Sequence, residues 1–153
     1  MITDNFKREM ESIVGRSNVS VSRTVSELYS YDASLAKGNP GVVVFPADGN
    51  EVARVVRAAI REGIAFVPRG FGTNLSGGTI VADQGLVICL SRLNRILGIY
   101  PESRYAVVQP GVTNLELQDA TGALGYFMHR TPPARKFPPS AAIWVKIREA
   151  PAV

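Results

Sequence analysis

Residues 42–78 decide how this chain is read: Val42-Val-Val-Phe-Pro46, a stretch from Asp48 to Gly63, Ile64-Ala-Phe-Val67, and then Pro68-Arg-Gly-Phe-Gly-Thr-Asn-Leu-Ser-Gly-Gly78. Val42 to Phe45 is a short continuous apolar run closed by Pro46, a buried strand by its length and β-branching. Asp48 or Asn50 caps a helix with Val52, Val55, Val56, Ala59 and Ile60 on one face, ended by Gly63. Ile64 to Val67 reads as a second buried strand. The spacing predicts a βαβ unit over residues 42–67 with a parallel strand pair and a right-handed crossover.

A glycine-rich loop leaves directly from that second strand. Gly70, Gly72, Gly77 and Gly78 can take positive φ, and without a Cβ they let backbone N–H groups approach an anion. Thr73 and Ser76 add hydroxyl donors, and Arg69 brings a positive charge. Such a nest suits the two phosphates of a dinucleotide. The same pattern also fits a long connection needed only for turning, with Arg69 in a surface ion pair. No Lys-Ser/Thr pair follows the glycines, as a Walker A loop requires, and the segment after Gly78 reads as strand-like rather than helical. A nicotinamide fingerprint is therefore disfavoured.

Outward from this centre, Thr3 or Asp4 caps a first helix with Phe6, Met10, Ile13 and Val14 on one face, ending at Gly15. A polar stretch leads to Glu27-Leu-Tyr-Ser-Tyr-Asp-Ala-Ser34 and a turn at Lys37 to Gly41, which divides an N-terminal helical segment, 1–37, from a compact domain starting at residue 38. Downstream, Leu86 to Leu90, Ile96 to Tyr100 and Tyr105 to Val108 are strand candidates separated by Asn94 and Pro101-Glu-Ser103. Thr113-Asn-Leu-Glu116 is a capping box opening a helix through Leu115, Leu117 and Ala120. The fold class is α+β, a βαβ unit followed by a mixed sheet.

The 153 residues suit one domain and are too few for a two-domain enzyme. The formal net charge of +4 is not a nucleic-acid signal, because residues 1–127 balance and the excess lies in Arg130, Arg135, Lys136, Lys146 and Arg148 against Glu149. All 14 glycines also precede residue 128, whereas the only His and the only Trp follow it. A single cysteine, Cys89, excludes an intrachain disulfide and reads as a buried strand thiol. The first residues lack an apolar leader and no run is long enough to span a membrane, so the chain reads as cytoplasmic.

Five segments occur in order: Val-Val-Phe-Pro46, Val-Pro-Arg-Gly70, Gly-Thr-Asn-Leu-Ser-Gly-Gly78, Leu-Ser-Arg-Leu-Asn-Arg-Ile-Leu97 and Val-Gln-Pro-Gly-Val-Thr-Asn114. Together they resemble the N-terminal flavin-binding part of FAD-linked oxidases and dehydrogenases of the vanillyl-alcohol oxidase (PCMH) type, closest to the glycolate oxidase catalytic subunit and the D-lactate dehydrogenases, over residues 25–127. The resemblance implies that Arg69, Gly70, Phe71, Gly72, Thr73, Asn74, Leu75, Ser76, Gly77 and Gly78 wrap the FAD pyrophosphate. It places Pro46 beside the cofactor and Pro110-Gly111 at its adenosine end; read alone, these three end strands and form turns. Tyr31-Asp32-Ala33 also fits the family, and its plainer reading is a helix start on the surface. Surface placement is likewise the default for Asp32 and Asp83. With no His before residue 129, the histidyl-flavin bond of some relatives is unavailable and binding is expected to be non-covalent. The implied reaction is oxidation of a 2-hydroxy acid in a longer parent, with electrons passed to a carrier or an electron-transfer subunit. A module that binds nucleotide and pairs with a separate substrate subunit is the alternative.

After Phe127 the resemblance stops. Residues 128–153 read as a basic, proline-rich extension, solvated as polyproline II, or as a shifted frame. Codons built from the third base of one residue and the first two of the next allow Tyr-Ala-Pro-Asp-Pro-Ala-Ser-Gln across Phe127 to Lys136. Across Lys136 to Pro151 they allow Val-Ser-Thr-Ile-Gly-Gly-Asn-Leu-Gly-Glu-Asn-Ser-Gly-Gly-Pro. Both are the continuations the family implies, so one deleted base near codon 127 is the reading adopted.

Overall fold

Thr3 accepts a hydrogen bond from the Phe6 N–H at 3.2 Å and starts helix α1 (Asp4–Val14), which buries Phe6, Met10, Ile13 and Val14 and stops at Gly15 with φ 84°. The computed structural model describes residues 2–34, 36–81, 84–128 and 144–149. These fall into two compact units, Met1–Arg92 and Leu93–Val153.

In the first unit a four-stranded sheet runs in the order β1 (Val19–Ser20), β2 (Val42–Val44), β4 (Leu86–Cys89), β3 (Phe66–Arg69). The β2, β4 and β3 strands are parallel, and β1 closes one edge antiparallel. Val42, Val44, Leu86 and Ile88 pack with α1 and with helix α3 (Gly49–Arg61), whereas Val43, Val87 and Cys89 pack with Val81 and with Val25 and Tyr29 of helix α2 (Arg23–Tyr29). Both faces of the central strands are therefore covered, which is why β2 and β4 are unbroken apolar runs. Each fully buried valine contributes roughly 1.5–3 kcal/mol by leaving water.

Three expectations change. The β2 and β3 strands are parallel but not neighbours, because β4, buried at every position, takes the centre between them. Ile64 to Val67 is not a buried strand: β3 starts at Phe66 and lies at the sheet edge with Pro68 exposed, a place where a missing N–H costs no ladder bond. In α3, capped by Asp48 through the Asn50 and Glu51 N–H groups, the buried face is Val55, Ala58 and Ala59, and Ile60 is 65% exposed. Helix α1 shares its core with β2, α3 and β4 in the unit ending at Arg92.

The second unit holds an antiparallel sheet in the order β5 (Ile96–Tyr100), β6 (Tyr105–Val108), β8 (Trp144–Glu149), β7 (Tyr126–Met128). Helix α4 (Asn114–Gly122) opens with the expected capping box and buries Leu117, while Leu115 faces solvent. Residues 144–149, inside the presumed solvated extension, form β8; the proline-rich residues 131–139 lie outside the described residues.

Candidate functional site

Strand β3 ends at Arg69, whose side chain is only 6% exposed. Its guanidinium lies 5.1 Å from the centre of the Tyr29 ring and donates one long hydrogen bond, 3.5 Å, to the Tyr29 carbonyl. Among the described residues no carboxylate pairs with it. A buried cation with one weak bond and a ring beneath it is short of several kcal/mol of compensation, of which the ring returns roughly 0.5–2. The Tyr29 phenol is pushed up, first by burial and then by the Cys89 sulfur 3.6 Å away, with Arg69 opposing, so it stays neutral.

The chain from Gly70 to Gly78 has no helix or strand. Gly72 and Gly77 adopt φ of 68° and 70°, the left-handed conformation expected of such a loop. Gly72 sits on Arg69 so closely that an added Cβ would collide with the guanidinium. Among the described residues, none of the nine backbone N–H groups from Gly70 to Gly78 donates a hydrogen bond within the protein. None of residues 70–78 is buried, so these donors stand open to water or to a ligand beside the buried cation, as an anion nest would require. The segment after Gly78 is a turn rather than the strand expected, and β4 begins only at Leu86.

Asp32 is not on the surface and starts no helix: it is 8% exposed. Its Oδ1 accepts from the Ser34 N–H at 2.8 Å, and its Oδ2 accepts from Asn74 Nδ2 at 2.7 Å. The Thr79 hydroxyl lies 3.3 Å from the same Oδ2 and 3.0 Å from Asn74 Oδ1, so its proton reaches either. Hydrogen bonds from Ser34 above all, with Asn74 and Thr79, hold the Asp32 carboxyl below the usual range against the opposing effect of burial. Thr79 and Tyr29 were not singled out from sequence. Asp83 lies outside the described residues.

The remaining expected residues divide by environment. Phe71 and Leu75 stand 46% and 78% exposed on the loop, and Thr73 and Ser76 make no hydrogen bond among the described residues. Pro46 is buried just past β2, where the Phe45 carbonyl accepts from Arg92 at 2.7 Å. In the second unit, Gly111 donates to the Leu93 carbonyl at 2.7 Å and Val112 to Gln109 at 3.1 Å, so the turn after β6 is internally paired. An open polar cleft of about 690 Å³ lined by Lys7, Arg23, Glu27 and Lys37 shares no residue with the loop.

This arrangement has known counterparts. The family model described as an FAD binding domain matches residues 40–136, and the chain belongs to that family. It is 35% identical over 137 residues to glycolate oxidase subunit GlcD of Bacillus subtilis, covering 89% of this chain and 29% of that protein. It is 33% identical over 127 residues to D-2-hydroxyglutarate dehydrogenase of Escherichia coli, covering 80% of this chain and 12% of that one. The structure of alkyldihydroxyacetonephosphate synthase superposes with a TM-score of 0.79 at 20% identity over 90% of this chain and 28% of its own. The fold is that of vanillyl-alcohol oxidase type FAD-binding domains, and the cofactor of this family of flavin oxidoreductases is FAD. The chain spans less than a third of the length of the relatives it matches. Among the described residues no helix is long and apolar enough to cross a membrane.

Proposed function

We propose that this chain supplies the pyrophosphate-binding part of a cytoplasmic FAD-dependent oxidoreductase that oxidises a 2-hydroxy acid such as glycolate or D-lactate, and that it holds FAD non-covalently through Arg69 to Gly78. The observation that carries this reading is the run of backbone donors that, among the described residues, have no protein partner, beside the buried Arg69, which no described carboxylate pairs with. Charge-assisted hydrogen bonds from a guanidinium and from N–H groups are the interactions a pyrophosphate rewards most. Pro46 would then bound the cofactor at the end of β2. The substrate class rests on relatives whose names specify glycolate and D-2-hydroxyglutarate, both 2-hydroxy acids.

The bound cofactor would supply the hydride acceptor, and the protein binding and orientation. This chain's residues bind and orient; the substrate and the electron-transfer partner are engaged by the longer parent. Positioning of the hydroxy acid is worth roughly 7–11 kcal/mol of barrier in favourable cases, so the chain alone is expected to be inactive. We further propose that residues 128–153 are read from a shifted frame, on the strength of the charge and glycine break at residue 128 and the family segments recovered in one alternative frame.

FAD titrated into the purified chain should quench flavin fluorescence saturably but weakly, and mild acid or heat should release it. Flavin retained on denatured protein would contradict the non-covalent assignment. Glycolate and D-lactate with an artificial acceptor should give no turnover with this chain and clear turnover with a parent whose frame is restored near codon 127. Genomic reads without the family continuation in the shifted frame would sink the frameshift. Failure of both proteins to bind FAD would leave the assembly module that pairs with a separate substrate subunit.

A further inference from the structure

The flavin reading accounts for the loop's free N–H groups but not for the buried carboxylate that grips the loop from another part of the chain. Asp32 lies 42 positions before Asn74 in sequence, yet its Oδ2 takes the Asn74 amide at 2.7 Å and stands 3.3 Å from the Thr79 hydroxyl. Its other oxygen caps its own turn through the Ser34 N–H at 2.8 Å. The turn is braced in its own right: Ser34 Oγ accepts from the Ala36 N–H at 3.2 Å, Tyr31 bridges Lys37, and Gly38 donates to the Ser30 carbonyl at 2.7 Å. Two glycines mark where the loop rests on it. A Cβ on Gly38 would strike the Val81 carbonyl, and one on Gly77 would stand 3.7 Å from Ala36 and 3.8 Å from Ser34.

The division of donors is the informative part. A carboxylate next to a nest of free N–H groups would be expected to occupy them. Asp32 instead takes side-chain donors, Asn74 and Thr79, with its own turn's N–H, and leaves the backbone N–H groups of Gly70 to Gly78 without a partner among the described residues. A nine-residue loop with no internal backbone bonds has many conformations to lose when it closes on a ligand, and fixing them beforehand raises affinity without a new ligand contact.

We propose that Asp32 is a positioning residue for the cofactor: through Asn74 and Thr79 it holds the glycine loop in its anion-binding conformation without itself touching the anion. This rests on the flavin reading for the ligand, but the clamp has a readout of its own. Phe71 and Leu75 are exposed chymotrypsin sites within the loop, and cleavage there requires the loop to open.

The test compares the wild-type chain with Asp32→Ala, Asp32→Asn and the exchange Asp32→Asn/Asn74→Asp, measuring chymotryptic cleavage after Phe71 and Leu75, thermal unfolding and FAD quenching. Asp32→Ala should raise loop cleavage at least about tenfold and weaken FAD at least about tenfold, with Asp32→Asn between. The exchange rebuilds the hydrogen bond in reverse, amide at 32 to carboxylate at 74. It should return cleavage to within about threefold of wild type while leaving FAD weak, because the negative charge now lies on the loop. Unchanged cleavage in Asp32→Ala overturns the clamp. So does a loss of thermal stability that accompanies equal cleavage throughout the chain and is not restored by the exchange, the mark of a merely structural carboxylate. Wild-type chain that shows the cleavage pattern but never quenches FAD overturns the flavin reading and upholds the clamp.

Discussion

Two bends of this chain look alike in sequence and differ in what their backbones do. The loop from Gly70 to Gly78 follows β3, and the turn Gln109-Pro-Gly-Val112 follows β6; both interrupt apolar strands with glycine. In the turn, Gln109 donates to Arg95 at 2.9 Å, Gly111 to Leu93 at 2.7 Å and Val112 back to Gln109 at 3.1 Å. In the loop no N–H donates within the described protein, and a cation is buried beside it. Glycine therefore marks both places, but the accounting of backbone donors separates the proposed ligand cradle from the paired chain reversal.

The sharpest way to break this contrast is Gly72→Val. Gly72 combines φ of 68° with a Cβ direction blocked by the Arg69 guanidinium, so valine must either strain the backbone or expel the arginine. FAD affinity should fall roughly 100-fold, about 2.8 kcal/mol, with the circular dichroism spectrum retained. Equal flavin titrations for the variant and the wild type would show that the loop is only a connection. Arg69→Met comes next. A buried charge that no described carboxylate pairs with is replaced by an apolar chain of similar length, which is neutral or stabilising for the unliganded protein. The unfolding midpoint should hold or rise while FAD affinity drops about tenfold, about 1.4 kcal/mol. A lowered midpoint with unchanged affinity would make Arg69 a structural residue.

Much of the frame was legible because its signals are local. Val42 to Val44 and Leu86 to Cys89 announce buried strands, and the Thr113 and Glu116 pair announces a helix start, since each acts within a few residues. Sheet order is not local. Nothing in Leu86 to Cys89 says that it inserts between β2 and β3, because periodicity reports burial and not neighbours. The loop's glycines and Arg69 stand out in the sequence as a candidate anion site, but Asp32 does not: its partners lie 42 and 47 positions away. A hint was present in Asp32-Ala-Ser34, a spacing that favours a side chain bonding the backbone two residues on. The strand at Trp144 to Glu149 also carried a signal, the alternation Val145-Lys-Ile-Arg148, which the composition break at residue 128 obscured.

A smaller effect should appear in acid. Ser34, Asn74 and Thr79 favour the ionised form of Asp32, so its carboxyl lies lower in the folded protein than in the unfolded chain. A depressed acid stabilises above its unfolded value, about pH 4, and loses that contribution as pH falls through the folded one. The gap in unfolding midpoint between wild type and Asp32→Asn should be full at pH 7 and close progressively below about pH 4. A gap independent of pH would mean that the carboxylate's charge is not what the loop side chains recognise.

The smallest expected effect on flavin is the control that completes the comparison. At the edge of the paired turn, Thr113 Oγ1 accepts from the Glu116 N–H at 3.2 Å while Glu116 Oε2 accepts from the Thr113 N–H at 2.7 Å. Thr113→Ala removes the hydroxyl half of this box and exposes an N–H of the first turn of α4, which should cost about 1 kcal/mol of stability. If the turn after β6 is a chain reversal whose donors are already engaged, that loss lowers the unfolding midpoint and leaves FAD affinity within about twofold. The prediction is opposite in kind to that for Arg69→Met, where stability holds and affinity falls. A Thr113→Ala chain that unfolds like wild type but binds FAD several-fold more weakly would place cofactor contacts at the turn, and free backbone donors would no longer distinguish the two bends.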